Sequence, residues 1–409
     1  MSDIVKYDDY LRTGIDPNPY LTQPLDEIMH SSDWAPDSSD DVCQMCYCKF
    51  TLFNRRHHCR CCGQLYCAKC CPPSDDIRLC VLCCFSFISA DPENQPKTME
   101  DFCKFDAVNE ILAADSNEIL LEQVVLIIGN YMRNDNARKL TLKHFPKVFS
   151  TAYFQITHSL NVRAAIGLFI NFTQTQLDFD FDFNFELEVA KKLPGESLTD
   201  LARLWVNLSS TKAWAEKFAA NEEIDKIVWF LYKEVGMAGK LSVLNIITNL
   251  IRVDQDMTKL VDEQIQEDLE AYIADPDQLT ANTSIRLLSE LIHVEAFHHL
   301  FAKTLFKQIV LNYKKDNQGL TKLATIHFFN EVIKSDFQEY CFQKQVTFLA
   351  VEDETLLEAM IKTDPELLNE LVVENELVEQ AVDMITEMEE YKTLRKLLKG
   401  TELGDALRK

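Results

Sequence analysis

Residues 43–71 read CQMCYCKFTLFNRRHHCRCCGQLYCAKCC. With the RLCVLCC that follows at 78–84, this stretch offers four C-x-x-C pairs: Cys43/Cys46, Cys59/Cys62, Cys67/Cys70 and Cys80/Cys83. Two residues between thiolates let one tight turn present two corners of a tetrahedron to a single zinc ion. Four pairs therefore make two complete four-cysteine sites. Such sites leave no open coordination position, so the zinc they hold is structural rather than catalytic. Twelve of the fourteen cysteines fall between Cys43 and Cys84, and Cys48, Cys61, Cys71 and Cys84 are left over beside the pairs as packing or spare thiols. The same stretch concentrates positive charge. Three arginines and two histidines occupy Arg55–Arg60 in a chain whose formal net charge is -24.

The rest of the composition narrows the classes. At 409 residues and 47% hydrophobic, the chain can bury a large core and has room for two or three domains. No apolar run reaches the eighteen or so residues of a spanning helix. The opening MSDIVKYDDYLRTG has neither a basic region nor an apolar core, so no signal peptide is expected, and dense thiols then read as zinc ligands in a reducing cytosol. Residues 34–88 balance close to neutrality, six Lys/Arg against five Asp/Glu, while the remainder is strongly acidic. That distribution argues against nucleic acid and for one small basic face that meets an anionic surface. No nucleophile–base set is visible, and no catalysis is expected.

Paired zinc sites alone fit several modules, RING fingers in ubiquitin transfer among them. The residues between the pairs discriminate. WAPD stands at 34–37, RRHHCRCCG at 55–63 and RLC at 78–80. Together these resemble the WxxD, RRHHCRxCG and RVC signatures of the FYVE zinc finger, over residues 34–88. The resemblance implies a small fold of short β-strands and a helix, holding two zinc ions interleaved. The first and third pairs (Cys43, Cys46, Cys67, Cys70) take one ion, and the second and fourth (Cys59, Cys62, Cys80, Cys83) take the other. It implies binding of phosphatidylinositol 3-phosphate at the early endosome membrane by a peripheral cytoplasmic protein. Residue by residue, it places Asp37, Arg55, Arg56, His57, His58, Arg60 and Arg78 in the lipid site and Leu52 and Phe53 in a loop that dips into the bilayer. Asp37 would accept from inositol hydroxyls and repel further phosphates.

Elementary chemistry points the same way. If Cys59 turns inward on a strand, Arg56, His58 and Arg60 share the opposite face. Arginine forks suit a phosphate monoester. Protonated histidines would strengthen anion binding, so binding is expected to tighten in mild acid. One departure stands out: only CPPSDDI, seven residues, separates Cys70 from Arg78, shorter than the family usually has. A related finger that serves only as a protein scaffold is the alternative that this short segment keeps open.

Beyond residue 104, proline and glycine become scarce and a motif recurs: LIIGNYM, LFINFTQ, LWVNLSS, IITNLIR, LLSELIH and HFFNEVI. Its centres are Asn130, Asn171, Asn207, Asn249, Glu290 and Asn330, about forty residues apart. That period fits two or three helices per unit, stacked as a solenoid. The LWVNLSS form resembles the third helix of armadillo repeats. That resemblance implies a groove in which Asn130, Asn171, Asn207, Asn249 and Asn330 clamp an extended protein partner, with Glu290 interrupting the row. The expected organisation is a flexible segment at 1–33, the finger at 34–88, a linker at 89–104, armadillo-like repeats at 105–352 and an acidic helical cap at 353–409. The expected whole is mainly α: an adaptor with an armadillo-like α-solenoid and a two-zinc finger.

Overall fold

A computed structural model describes residues 31–409 except 74–77, 91–94, 104–105, 114–117, 159–161, 174–186, 302–307, 310, 313–319, 336–346, 348–349, 352, 364, 375, 389 and 409. The N-terminal segment before residue 31, Cys341 and most of the PPSDD stretch lie outside the described residues. The chain divides into two compact units, Met1–Leu208 and Ser209–Lys409.

The first unit begins with the cysteine-rich finger. Its β1 (His57–His58) and β2 (Leu65–Tyr66) pair antiparallel, with His57 opposite Tyr66 and His58 opposite Leu65. Gly63 makes the turn between them with φ +67°, a conformation that a side chain would strain. A second small bridge joins Val42 to Lys49. The finger ends in helix α1 (Val81–Ala90), which carries Cys83 and Cys84.

After α1 the first unit is mainly helical among the described residues: α2 (Gln95–Phe102), α3 (Asp106–Ala113), α4 (Glu118–Tyr131), α5 (Asp135–His144), α6 (Val148–His158), α7 (Arg163–Thr173), the single turn α8 (Leu187–Ala190) and α9 (Gly195–Ser209), whose last residue, Ser209, already belongs to the second unit. Helices α1 and α7 both pack on α4. The α4–α7 crossing is close because Gly129 has no side chain; a Cβ there would lie 3.1 Å from Leu168 Cα.

The expected linker at 89–104 is not a free connector. Residues 95–102 are helical, and Met99 and Phe102 are fully buried. The Phe102 ring lies 5.2 Å from Phe85 of α1 and 5.7 Å from Tyr131 of α4. PENQPK looked like a spacer from its composition. The burial comes from TMEDF, whose two apolar residues three apart form a short helical stripe.

The second unit stacks α10 (Lys212–Ala219), α11 (Ile224–Glu234), α12 (Met237–Val253), α13 (Glu263–Ile273), α14 (Gln278–Leu291) and α15 (Leu320–Lys334). Short helices follow: α16 (Glu354–Thr363), α17 (Pro365–Glu374), α18 (Val378–Glu387), α19 (Tyr391–Leu397) and α20 (Glu402–Ala406). Aspartate side chains start two of the longer helices: Asp262 accepts from Ile265 N–H and Asp277 from Thr280 N–H. Helix α14 packs on α12 and α15, so each repeat buries its apolar face against its neighbour. Phe218, Leu260 and Phe301, each eleven residues beyond a motif centre, are buried in this core, and Trp205 of the first unit is buried as well. The fold is solenoid-like and helical, with a small zinc finger at its N-terminal side.

Candidate metal centres and anion-binding face

The finger gathers its thiols into two groups. Cys43, Cys46, Cys67 and Cys70 form one; Cys59, Cys62, Cys80 and Cys83 form the other. Within each group all four Sγ atoms lie within 4.8 Å of one another. Four sulfurs about 2.3 Å from a tetrahedral zinc stand about 3.8 Å apart. Cys46 and Cys67 are 3.7 Å apart, and Cys62 and Cys80 are 3.9 Å apart. The donor set and its spacing fit zinc at both centres. Bound there, zinc supplies structural cross-links between segments whose other shared core is small, built around Leu65, Tyr66, Leu79 and Phe85.

The second centre is nearly sealed, with Cys59 and Cys80 at 0% exposure. Backbone donors reach its sulfurs. Cys80 N–H donates to Cys59 Sγ at 3.2 Å and Cys83 N–H to Cys80 Sγ at 3.4 Å. The Tyr66 hydroxyl lies 3.5 Å from Cys62 Sγ and donates when that sulfur is a thiolate. Tyr66 was not singled out in the sequence; an aromatic one residue before a ligand reads as core. Of the spare thiols, Cys71 and Cys84 are buried. Cys48 and Cys61 are partly exposed, and Cys48 Sγ lies 3.3 Å from Cys46 Sγ and accepts from Asn54 Nδ2.

The WAPD segment folds back onto the RRHHCR strand. Ala35 N–H donates to Gly63 C=O at 3.0 Å. Trp34 stacks on His58 with ring centres 5.0 Å apart, and Arg60 Cζ lies 4.1 Å from the centre of the Trp34 ring. His58 Nε2 sits 2.8 Å from Ala35 O and 3.6 Å from Asp37 Oδ1. Trp34, Asp37, His58 and Arg60 are thus one cluster, and WxxD orients the basic strand. Arg78 is tied in from the far side: Arg60 N–H donates to Arg78 C=O, and the Arg78 guanidinium donates to Cys71 C=O at 2.8 Å.

Arg56 departs from the expected shared face. Its guanidinium turns to Asp40 O and Asp41 Oδ1, each at 3.2 Å, and lies over the Phe50 ring. The reason is that only His57 and His58 are paired as a strand, so alternation does not extend to Arg56. Arg55 is exposed. Burial, with Arg78, Arg55 and Arg60 nearby, holds the His57 imidazole below its ordinary pKa; neighbouring Cys67 opposes this. His57 is therefore neutral over more of the mildly acidic range than an ordinary histidine.

Leu52 and Phe53 stand out of the fold at 89% and 100% exposure. The turn that presents them is held by Thr51 Oγ1, which accepts from Phe53 N–H and Asn54 N–H.

The motif asparagines lie between helices. Asn130 Nδ2 donates to Ser89 Oγ at 3.1 Å, and Asn171 Nδ2 to Gly129 C=O at 2.9 Å. Asn207 Nδ2 reaches Ile170 C=O and Thr173 Oγ1, and Asn249 Nδ2 reaches Ser209 Oγ. Each carries its amide back to residues 34 to 42 positions earlier, which bonds each motif helix to the one before it; for Asn130 that is helix α1 of the finger. Asn330 Oδ1 is buried with no partner among the described residues. At the position of Glu290 the bond becomes ionic: Arg252 Nε donates to Glu290 Oε1 at 2.6 Å.

Residues 33–105 match the family model of the FYVE zinc finger. The 1-phosphatidylinositol-3-phosphate 5-kinase FAB1A of Arabidopsis thaliana is 52% identical over 50 residues, 11% of this chain and 3% of that protein. Zinc finger FYVE domain-containing protein 9 of Homo sapiens is 41% identical over 58 residues, 12% of this chain and 4% of that protein. The likeness to these curated relatives thus spans a few per cent of their length and lies in the finger; nothing of the kinases beyond it is matched. The crystal structure of an engineered protein resembles the fold, with a TM-score of 0.54 at 11% identity over 78% of this chain and 84% of that one. The FYVE zinc finger match thus falls on residues 33–105, which hold the cysteine-rich finger and helix α2, and the described residues beyond it are mainly helical, consistent with a helical repeat region.

Proposed function

We propose that the finger binds phosphatidylinositol 3-phosphate and so recruits the chain peripherally to early endosome membranes, where the helical repeats engage a protein partner as an adaptor. The observation that carries this reading is the pairing of a fully exposed Leu52–Phe53 tip with the basic Arg55–Arg60 run that follows it in the same segment. Exposed apolar tips on a soluble face are otherwise a liability. Beside cationic residues such a tip is suited to a lipid surface, where each basic residue near it adds roughly 1 kcal/mol.

In this reading Arg60 and Arg78 supply forked donors to the 3-phosphate, Arg56 joins them only by exchanging Asp41 for the phosphate, His57 and His58 line it, and Arg55 meets the neighbouring bilayer phosphodiester. The clustered Trp34 and Asp37 hold Arg60 and His58 in place. Asp37 also repels phosphates on adjacent hydroxyls, which gives selectivity for the 3-monophosphate. Full burial of Leu52 and Phe53 contributes at most about 3–6 kcal/mol. Headgroup recognition and insertion are both needed for stable residence. In the same proposal the ligand residues of the two zinc centres are the eight cysteines grouped above, and they shape the face without touching lipid.

The test separates the two contributions. Titration of the zinc-loaded chain with soluble inositol 1,3-bisphosphate, followed by the amide resonances of residues 34–63, should perturb His58, Arg60 and Trp34 and leave Leu52 and Phe53 unmoved. Perturbation scattered over the acidic repeats would count against the reading.

A further inference from the structure

A zinc ion held by four thiolates carries two net negative charges. Burying that charge is costly unless donors face the sulfurs. In the second centre three of the four sulfurs are served from within the finger, by Cys80 N–H, Cys83 N–H and the Tyr66 hydroxyl. The fourth, Cys83 Sγ, accepts from Gln123 Nε2 at 3.2 Å. Gln123 is not in the finger. It lies on α4, forty residues further along the chain, in the run EILLEQVVLIIGNY.

Two further observations separate this contact from incidental packing. Gln123 Oε1 is buried with no hydrogen-bond partner among the described residues, so the amide is held in a place that does not satisfy its oxygen. The reverse orientation would aim that oxygen at a thiolate, acceptor against acceptor. Neighbouring contacts also fix the distance: Asn130 of α4 bonds to Ser89 of α1, and Thr98 Oγ1 of α2 lies 2.7 Å from the hydroxyl of Tyr131 on α4.

We propose that Gln123 is a positioning residue of the second zinc centre: its side-chain N–H completes the donor set around the four thiolates and fixes Cys83, so that the first long helix of the repeat region is part of the finger's metal site. Donors of this kind around metal ligands raise affinity roughly ten- to a hundredfold. The inference concerns metal retention and stands whether or not the finger binds lipid.

The test uses the whole chain with cadmium-113 in place of zinc. In the wild type, a through-bond correlation should link the Gln123 side-chain amide protons to the cadmium that also couples to the Cys83 Hβ protons. In Gln123→Met, which keeps the bulk and removes the donor, a chelator should extract that ion roughly tenfold faster and leave the rate of the other unchanged. Gln123→Glu should be at least as fast, because a carboxylate faces the thiolate. Val124→Ala, a packing change on the same helix at a fully buried residue, should not discriminate between the two ions. Absence of the amide–cadmium correlation, or equal acceleration for both ions in Gln123→Met, overturns the proposal. If Gln123→Met does not fold, the wild-type correlation decides alone.

Discussion

Arg60 Cζ lies 4.1 Å from the centre of the Trp34 ring, which also stacks on His58 at 5.0 Å. One indole therefore orders an arginine and a histidine from a segment more than twenty residues away. Trp34→Ala should leave the zinc content at two ions per chain, because none of the eight cysteines depends on it for coordination. It should weaken binding to vesicles bearing phosphatidylinositol 3-phosphate by about tenfold, consistent with a cation–π contact of about 1–2 kcal/mol. Metal analysis and vesicle sedimentation on the same preparation check both halves.

Leu52 and Phe53 contribute almost nothing to the folded core. The double change Leu52→Ser, Phe53→Ser should leave the unfolding midpoint in denaturant within error. Affinity for vesicles should fall by at least tenfold, while affinity for soluble inositol 1,3-bisphosphate stays constant. A loss in the soluble assay would assign the tip to the headgroup pocket instead.

Removal of zinc should act locally. The finger has four strand residues between its two centres, so its shape rests on the metal. The second unit, Ser209–Lys409, has its own apolar core. A strong chelator should abolish the Trp34 environment and vesicle binding while most far-ultraviolet helical signal survives. Chelator titration followed by circular dichroism and by protease mapping distinguishes this from global unfolding.

Glu290 carries a pH dependence whose sign is fixed. Burial pushes its carboxyl pKa up, but His327 and Arg252 outweigh burial, and the net direction is down from the ordinary 4.5. A depressed carboxyl pKa contributes stability that is fully present above the ordinary value and is lost as pH falls through the folded value. Glu290→Gln should therefore destabilise the chain by about 1–3 kcal/mol at neutral pH, with Arg252 left without its charged partner. The difference from wild type should shrink as pH falls below 4.5. Denaturant curves at pH 7 and pH 4 measure it.

Much of the finger was legible in the sequence because its constraints are local: the spacing of Cys43/Cys46 and its fellows, and the signature around His57 and His58, are set by a few bonds. The repeats were legible for a similar reason, since the centres at Asn171 and Asn249 recur at one period. What lay hidden depends on contacts between distant segments. Nothing around Gln123 marks it as a neighbour of Cys83, because it sits beside Glu122 in an otherwise apolar stretch of helix, where such a polar pair reads as a solvated face. The helix over Gln95–Phe102 was obscured by the prolines and polar residues before it. The asparagines stand out by position, but their use is a tertiary fact: Asn130, Asn171, Asn207 and Asn249 direct their amides to residues far earlier in the chain.

The most direct measurement of the central claim is flotation of the zinc-loaded chain with vesicles containing phosphatidylinositol 3-phosphate, unphosphorylated phosphatidylinositol, or each other phosphoinositide, beside Arg60→Ala and the Leu52→Ser, Phe53→Ser double variant. Selective flotation with the 3-phosphate, lost in both variants, is the predicted result. Equal flotation with all anionic vesicles, or none with any, from a chain that retains both zinc ions would contradict the account and leave the finger as a protein scaffold.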